Sequence, residues 1–121
     1  MTRKKRSFNI NVSCKLGIGG GAECTDRDIG ISQSRETTSG GPQFIVEIYT
    51  TCTNDCEPSD VHLKCEWFAS TAVVNPRIFR RVAFNDCLVN GGRPIPRGQI
   101  LRFAYENSFM YSLSFKSAKF C

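Results

Sequence analysis

Residues 60–69 read Asp-Val-His-Leu-Lys-Cys-Glu-Trp-Phe-Ala, with an apolar side chain at every second position from Val61 to Trp67. Successive side chains of an extended chain point to opposite faces. Val61, Leu63, Cys65 and Trp67 therefore share one face, and His62, Lys64 and Glu66 share the other. The stretch reads as a half-buried strand with Trp67 in the core. Its neighbour Phe68 then turns outward, as the exposed aromatic of the pair.

The same period recurs on both sides of this stretch. Asp28 to Gln33 aligns Ile29 with Ile31, and Gln43 to Cys52 sets Phe44, Val46 and Ile48 against Glu47. Ile78 to Phe84 is a shorter strand, and Gln99 to Asn107 aligns Leu101, Phe103 and Tyr105. Tyr111 to Phe120 begins with Tyr111, Leu113 and Phe115 opposite Ser112, Ser114 and Lys116. Turn signals separate these runs at Ser39-Gly40-Gly41-Pro42, Glu57-Pro58-Ser59, Asn75-Pro76 and Asn90-Gly91-Gly92. No segment sustains a helical period, and short strands at regular spacing predict an all-β, antiparallel β-sandwich. One sheet with an exposed face is the alternative. Two sheets are preferred because most strands carry three apolar groups on one side.

With 121 residues the chain fits one domain, and nine Phe, three Tyr and one Trp supply its core. No run of about 18 apolar residues is present, so no membrane insertion is expected. Of the net charge of +5, four units lie in residues 1–23, where Arg3, Lys4, Lys5, Arg6 and Lys15 meet only Glu23. The remainder is nearly balanced, which argues against nucleic acid as a partner. Residues 1–23 read as a basic, Gly-rich leader or processed segment, with Arg6 closing a dibasic processing site and Asn11 opening a glycosylation sequon. They contain no apolar signal core, so no signal peptide is visible in this chain. Residues 24–121 read as the folded domain.

The cysteines are dense and badly spaced for a metal. Only Cys52 and Cys56 form a close pair, and His62 is the single histidine. No metal or other cofactor is expected. Disulfides among Cys24, Cys52, Cys56, Cys65, Cys87 and Cys121 are the better reading, and they imply an oxidising, extracellular compartment. Strand parity turns Cys52 and Cys65 inward, where a bridge could join two sheets. Six cysteines allow 15 pairings, and spacing does not choose among them. Cys14 is the odd one out.

The run Val74-Asn75-Pro76-Arg77-Ile78-Phe79-Arg80-Arg81, followed by Asp86-Cys87-Leu88-Val89-Asn90, is distinctive. Taken with Ile29, Gln33, Cys52, Cys56, His62-Leu63, Cys65-Glu66-Trp67-Phe68 and Asn107-Ser108-Phe109, it resembles the plant tapetum determinant family over residues 24–121. Glu66 departs from that family's pattern, which usually has Gly before Trp-Phe. The resemblance implies a secreted, apoplastic, cysteine-rich ligand. Its partner would be the ectodomain of a leucine-rich-repeat receptor kinase, with or without a co-receptor kinase, and its role the fixing of tapetal fate and sporocyte number in anthers.

Six arginines lie between Arg77 and Arg102, with no lysine and with Asp86 as the only acid. Arg is favoured at binding hot spots because its planar fork grips carboxylates. Arg77, Arg80, Arg81, Arg93 and Arg97 are therefore candidate receptor contacts, joined by the aromatics Phe68 and Phe109. Arg80 and Arg81 adjoin, so in a strand only one can join a given patch. The other braces a loop or an acid such as Asp86. No catalytic residue is recognisable: His62 has no matched nucleophile, and an enzyme is not expected. Asp26 and Asp28 read as a strand-entry turn rather than a calcium loop. Two rival readings are a carbohydrate-binding module using Phe68, Tyr49 and Phe109, and an inhibitor or defence protein using the loop from Asn54 to Pro58.

Overall fold

The computed structural model describes residues 24–53 and 55–120. The leader with Arg6, Asn11 and Cys14, as well as Asn54 and Cys121, lies outside the described residues.

Seven strands form two antiparallel sheets. The first contains β1 (Ile29–Thr38), β2 (Gly41–Thr50) and β6 (Leu101–Glu106), in the order β1-β2-β6. The second contains β3 (Ser59–Lys64), β4 (Phe79–Ala83), β5 (Asp86–Val89) and β7 (Ser114–Lys119), in the order β4-β5-β3-β7. Their inner faces share one core. Phe44, Val46, Ile48, Leu101, Phe103 and Tyr105 come from the first sheet, and Val61, Leu63, Phe79, Cys87 and Val89 from the second. The expected sandwich is the observed fold.

The first sheet keeps an unbroken register, and β2 and β6 alternate in burial as their sequences do. The second half of β1, beyond the expected end at Gln33, is mostly exposed. β1 and β2 pair from Ile29↔Thr50 to Thr38↔Gly41. Gly41 has φ of 114°, a turn geometry open to glycine and few others, and the Thr38 hydroxyl donates to its carbonyl at 2.9 Å. Buried Tyr105 joins this sheet to the segment before β7. Its hydroxyl donates to Gln33 Oε1 at 2.6 Å and accepts from the Tyr111 amide at 2.9 Å, while Gln33 Nε2 donates to the Tyr111 carbonyl at 2.8 Å. Desolvation of the phenol raises the Tyr105 pKa. The buried Tyr105 hydroxyl and the half-buried Gln33 and Tyr111 thus satisfy one another.

The second sheet departs from the sequence expectation at four places. Strand β3 stops at Lys64 instead of running on to Ala69, because a turn closes there: the Phe68 amide donates to the Cys65 carbonyl at 2.8 Å, and Glu66 has φ of 43°. Past Lys64 the period of two no longer applies. Trp67 is 75% exposed, and Phe68 packs inward against the core, the reverse of the expected arrangement. Strand β5 escaped the sequence reading because Cys87, Leu88 and Val89 are all buried, leaving no alternation to see. In β7, register shifts against β3 move the inward face from Phe115 to Ala118 and Phe120.

Two disulfides join described residues. Cys65 and Cys87, with Cα atoms 6.1 Å apart, link the end of β3 to β5. The bridge lies within one sheet, so it does not join two sheets as strand parity suggested. Cys24 and Cys52, with Cα atoms 5.5 Å apart, close the open end of the β1–β2 hairpin. Cys56 is also disulfide-bonded. Phe120, beyond β7, packs against the buried cluster of Cys24, Cys52 and Cys56, so the sulfur cluster ties the sheets by packing.

Candidate functional site

The arginine-rich stretch spans the turn before β4, β4 itself and the loop after β5. Asn75 builds the first turn: its side-chain oxygen accepts from the Arg77 amide, and its carbonyl accepts from Ile78 and Phe79. The Asn90 amide donates to the Ile78 carbonyl, which draws the loop carrying Arg93 up to the turn carrying Arg77. Asn90 then fixes Arg93, accepting from its guanidinium at 3.1 Å. Arg77 and Arg93 thus share one end of the second sheet. Arg80 lies on β4, the sheet's edge strand. All three are exposed, and among the described residues none has an ion pair with a carboxylate.

Arg81 and Arg97 behave differently. Arg81 donates to the carbonyls of Glu66 at 2.8 Å, Phe68 at 2.6 Å and Ala83 at 3.3 Å. It is the brace that the adjacency of Arg80 and Arg81 anticipated, and it holds the turn that carries Trp67. Arg97 donates to the Thr53 carbonyl at 2.7 Å, next to the Cys24–Cys52 bridge. A guanidinium whose forks are committed to backbone carbonyls has fewer donors left for a partner. The sequence grouped five arginines. The structure brings Arg77 and Arg93 together, sets Arg80 on the edge strand, and gives Arg81 and Arg97 to loop bracing.

Phe68 makes ring contacts with Phe79, Phe103, Tyr105 and Tyr111, at centroid distances of 5.2, 6.5, 5.0 and 5.4 Å. It is a core residue, and as a surface contact it is corrected. Phe109 is exposed and leans on Tyr111. The exposed aromatics that sequence reasoning missed are Trp67 and Phe84, in contact with centroids 4.8 Å apart and planes tilted by 60°. The turn signal was faint, since Glu66 occupies a left-handed position with no Gly or Asn to mark it. The Trp67 and Phe84 rings are not coplanar with each other. The loop ending at Pro58 is pinned rather than protruding, with Cys56 and Pro58 buried and the Pro58 carbonyl accepting from Ile95.

His62 lies on the outer face of the second sheet between two acids. Its Nδ1 meets Asp86 at 2.6 Å and its Nε2 meets Asp60 at 3.3 Å. Neutral imidazole donates through one nitrogen only, so two carboxylate partners call for the imidazolium. Burial lowers the His62 pKa, but the hydrogen bonds and charges of Asp86 and Asp60 outweigh it, and the net shift is upward. The two carboxylates and the imidazole form an ion cluster, with Ser117 of β7 paired to His62 across the sheet. A shallow depression of about 230 Å³ lined by Tyr49, Thr50, Gly98, Gln99 and Ile100 contains no titratable group apart from Tyr49. The sulfurs of Cys24, Cys52 and Cys56 lie within 4.8 Å of one another, a spacing that would suit a metal, but all three are committed to disulfides.

The cysteine-rich domain that carries this edge coincides with the stretch over which the sequence resembles the tapetum determinant family. The family model described as tapetum determinant 1, C-terminal, matches residues 25–121. The chain belongs to the tapetum determinant family. It is similar to TPD1 protein homolog 1 of Arabidopsis thaliana, 46% identical over 99 residues that cover 80% of this chain and 55% of that protein. In Oryza sativa subsp. japonica, TPD1 protein homolog 1A is 41% identical over 95 residues, covering 72% of this chain and 42% of the relative. TPD1 protein homolog 1B is 40% identical over 93 residues, covering 75% and 54%. The chain spans about half the length of these curated relatives. No solved structure matches it. Within the family frame Gln33 has a plain structural purpose, as a member of the hydrogen-bonded triangle with Tyr105 and Tyr111.

Proposed function

We infer that this chain is a secreted protein ligand that docks on the ectodomain of a leucine-rich-repeat receptor kinase, with or without a co-receptor kinase. By that contact it specifies plant cell fate, in the anther the tapetum and the number of sporocytes. The observation that carries the reading is the trio Arg77, Arg80 and Arg93: three exposed guanidinium groups with no carboxylate partner among the described residues. Such groups suit an acidic protein surface, which Arg grips bidentately. Membership of the tapetum determinant family supports the receptor class, and the disulfides support an apoplastic site of action. Binding rather than catalysis is the proposed activity.

The test is a titration of purified leucine-rich-repeat receptor-kinase ectodomains with the parent and with Arg77→Glu, Arg80→Glu and Arg93→Glu. Each variant is first shown to melt like the parent. At least one should weaken binding by about 30-fold or more, and the parent's affinity should fall as salt is raised. If all three bind as the parent does, the arginine edge is not the docking face.

A further inference from the structure

The structure assigns Trp67 and Phe84 as the apolar anchor of the docking surface: a pre-organised aromatic pair that inserts into an apolar recess of an acidic partner protein. The assignment rests on the receptor-ligand reading above and places its centre on two residues outside the arginine-rich set.

Exposure alone would not carry this. Trp67 is 75% exposed and Phe84 60%, in a domain whose other aromatics are mostly packed into the core. What distinguishes the pair is how firmly its backbone is held. Trp67 lies on the turn after β3 and Phe84 on the turn after β4. Arg81 clamps the two turns together, reaching the carbonyls of Glu66 and Phe68 on one and of Ala83 on the other. The Asn85 side-chain oxygen accepts from the Glu66 amide at 2.9 Å, a second tie between the same turns. The Cys65–Cys87 bridge closes their base. Phe68 anchors the first turn from below, in edge-on contact with Phe79 and Tyr105. Glu66 and Asn85 both have left-handed backbone, φ of 43° and 57°, conformations that cost energy and persist where surroundings enforce them. The chain thus holds two large apolar rings in water on a rigid mount, whereas relaxing either turn would let them collapse inward. A rigid mount lowers the ordering cost of association.

The charge around the pair selects the occupant. Phe84 follows directly on β4, where every residue from Arg80 to Ala83 is exposed, Val82 among them. Arg80 lies four residues before Phe84, about 13 Å along an extended strand. Lys64 lies three residues before Trp67 and is also exposed. Neither the Arg80 nor the Lys64 side chain has an ion pair or hydrogen bond among the described residues. With Arg81 at the base of the turns, these cations outnumber the exposed carboxylate of Glu66 beside Trp67, and a net positive rim around a Trp–Phe centre matches the composition of protein-binding hot spots. The complementary surface is a protein recess with apolar walls and carboxylates at its edge. The 60° tilt between the rings does not suit the flat face of a glycan.

Trp67 is the only tryptophan of the chain, so it is its own probe. The full chain is prepared with 5-fluorotryptophan, and its single fluorine resonance is followed by NMR as unlabelled receptor-kinase ectodomain is added. In parallel, Trp67→Ala and Phe84→Ala are titrated after each is shown to melt like the parent. The expected result is a shifted fluorine resonance that loses its sensitivity to exchange of H2O for D2O, with affinity reduced about 30-fold or more in at least one variant. If the parent binds while the resonance stays put and both variants bind normally, the anchor is overturned and the receptor reading stands. If the parent binds no ectodomain, the receptor reading falls and this assignment falls with it. A concentration-dependent dimer of the parent, abolished by Trp67→Ala in sedimentation, would give the surface to a second copy and overturn the acidic partner. The fluorine measurement needs no substitution, so a variant that misfolds does not block the test.

Discussion

The two sheets of this sandwich are built to different standards of regularity. The first pairs ten residues of β1 with ten of β2 and six of β2 with six of β6, without a break in register. The second shifts register twice between β3 and β7 and once between β4 and β5. Every non-glycine residue with positive φ among the described residues belongs to the second sheet or its connections: Asp60, Glu66, Asn85 and Asn90. The candidate surface follows the same division. Arg77, Arg80, Arg93, Trp67, Phe84 and the His62 triad all lie on the irregular sheet, while the outer face of the regular one offers the Arg102–Glu47 pair at 3.2 Å. A regular ladder fixes which side chains point outward by parity alone. Presenting large apolar groups to a partner requires turns and bulges that override parity, and those are supportable only beside a stiff scaffold.

This contrast can be broken at its staple. The Cys65–Cys87 bridge is buried in the irregular sheet and closes a loop of 22 residues in sequence, whereas the Cys24–Cys52 bridge sits outside the ladder of the regular one. Replacing both residues, as Cys65→Ala with Cys87→Ala, should lower stability by about 2–5 kcal/mol, through lost loop-closure entropy and the space left behind. Hydrogen exchange should show the loss first at the amides of β3, β4 and β5, with β1–β2 protected until global unfolding. Loss of protection in all strands together would show that the sheets are one cooperative unit and that the contrast is only one of shape.

The His62 triad sharpens the comparison through pH. Its folded pKa is raised above the unfolded value, so the stabilisation is fully present below about pH 6.5 and is lost as pH rises through the higher folded value. The melting difference between the parent and His62→Gln should therefore be larger at about pH 5.5 than at about pH 8.5, by an amount on the order of 1 kcal/mol or less. A difference that is unchanged between the two pH values, or larger at the alkaline one, would show that the ion triad does not stabilise the irregular sheet.

What could be read from the sequence follows the same line between the sheets. Phe44, Val46, Ile48, Leu101, Phe103 and Tyr105 were assigned inward by alternation alone, and all are buried. The cysteines were legible as staples, but the pairing of Cys65 with Cys87 was not, because period-two arguments give a face and never a partner strand. Trp67 was misplaced for a definite reason. The apolar alternation of the sequence runs on to Trp67, three residues past the end of β3, into a turn that no glycine at position 66 marks. Arg81 illustrates the opposite limit. Its adjacency to Arg80 showed that the two must diverge, but three carbonyl partners on two turns are a property of the folded chain.

Position 66 also offers the finest test of the contrast. Glu66 is exposed, and its φ of 43° places an L-residue where its Cβ crowds its own carbonyl, at a cost of about 1 kcal/mol. Its two structural contacts are made by the backbone: the amide to Asn85 and the carbonyl from Arg81. Glu66→Gly keeps both and relieves the crowding. Against this, glycine gives the unfolded chain more freedom, an opposing effect of about 0.4–1 kcal/mol. The net expectation is a small stabilisation, a melting temperature higher by about 1–3 °C for a domain of this size. The substitution also removes the one carboxylate in the turn that presents Trp67, so affinity for an acidic partner should rise slightly and become a little more salt-dependent. A lower melting temperature would mean that the turn between β3 and β4 is not strained at this residue. The irregularity of the second sheet would then have to be located at Asp60, Asn85 or Asn90, where short polar side chains tolerate left-handed backbone with less penalty.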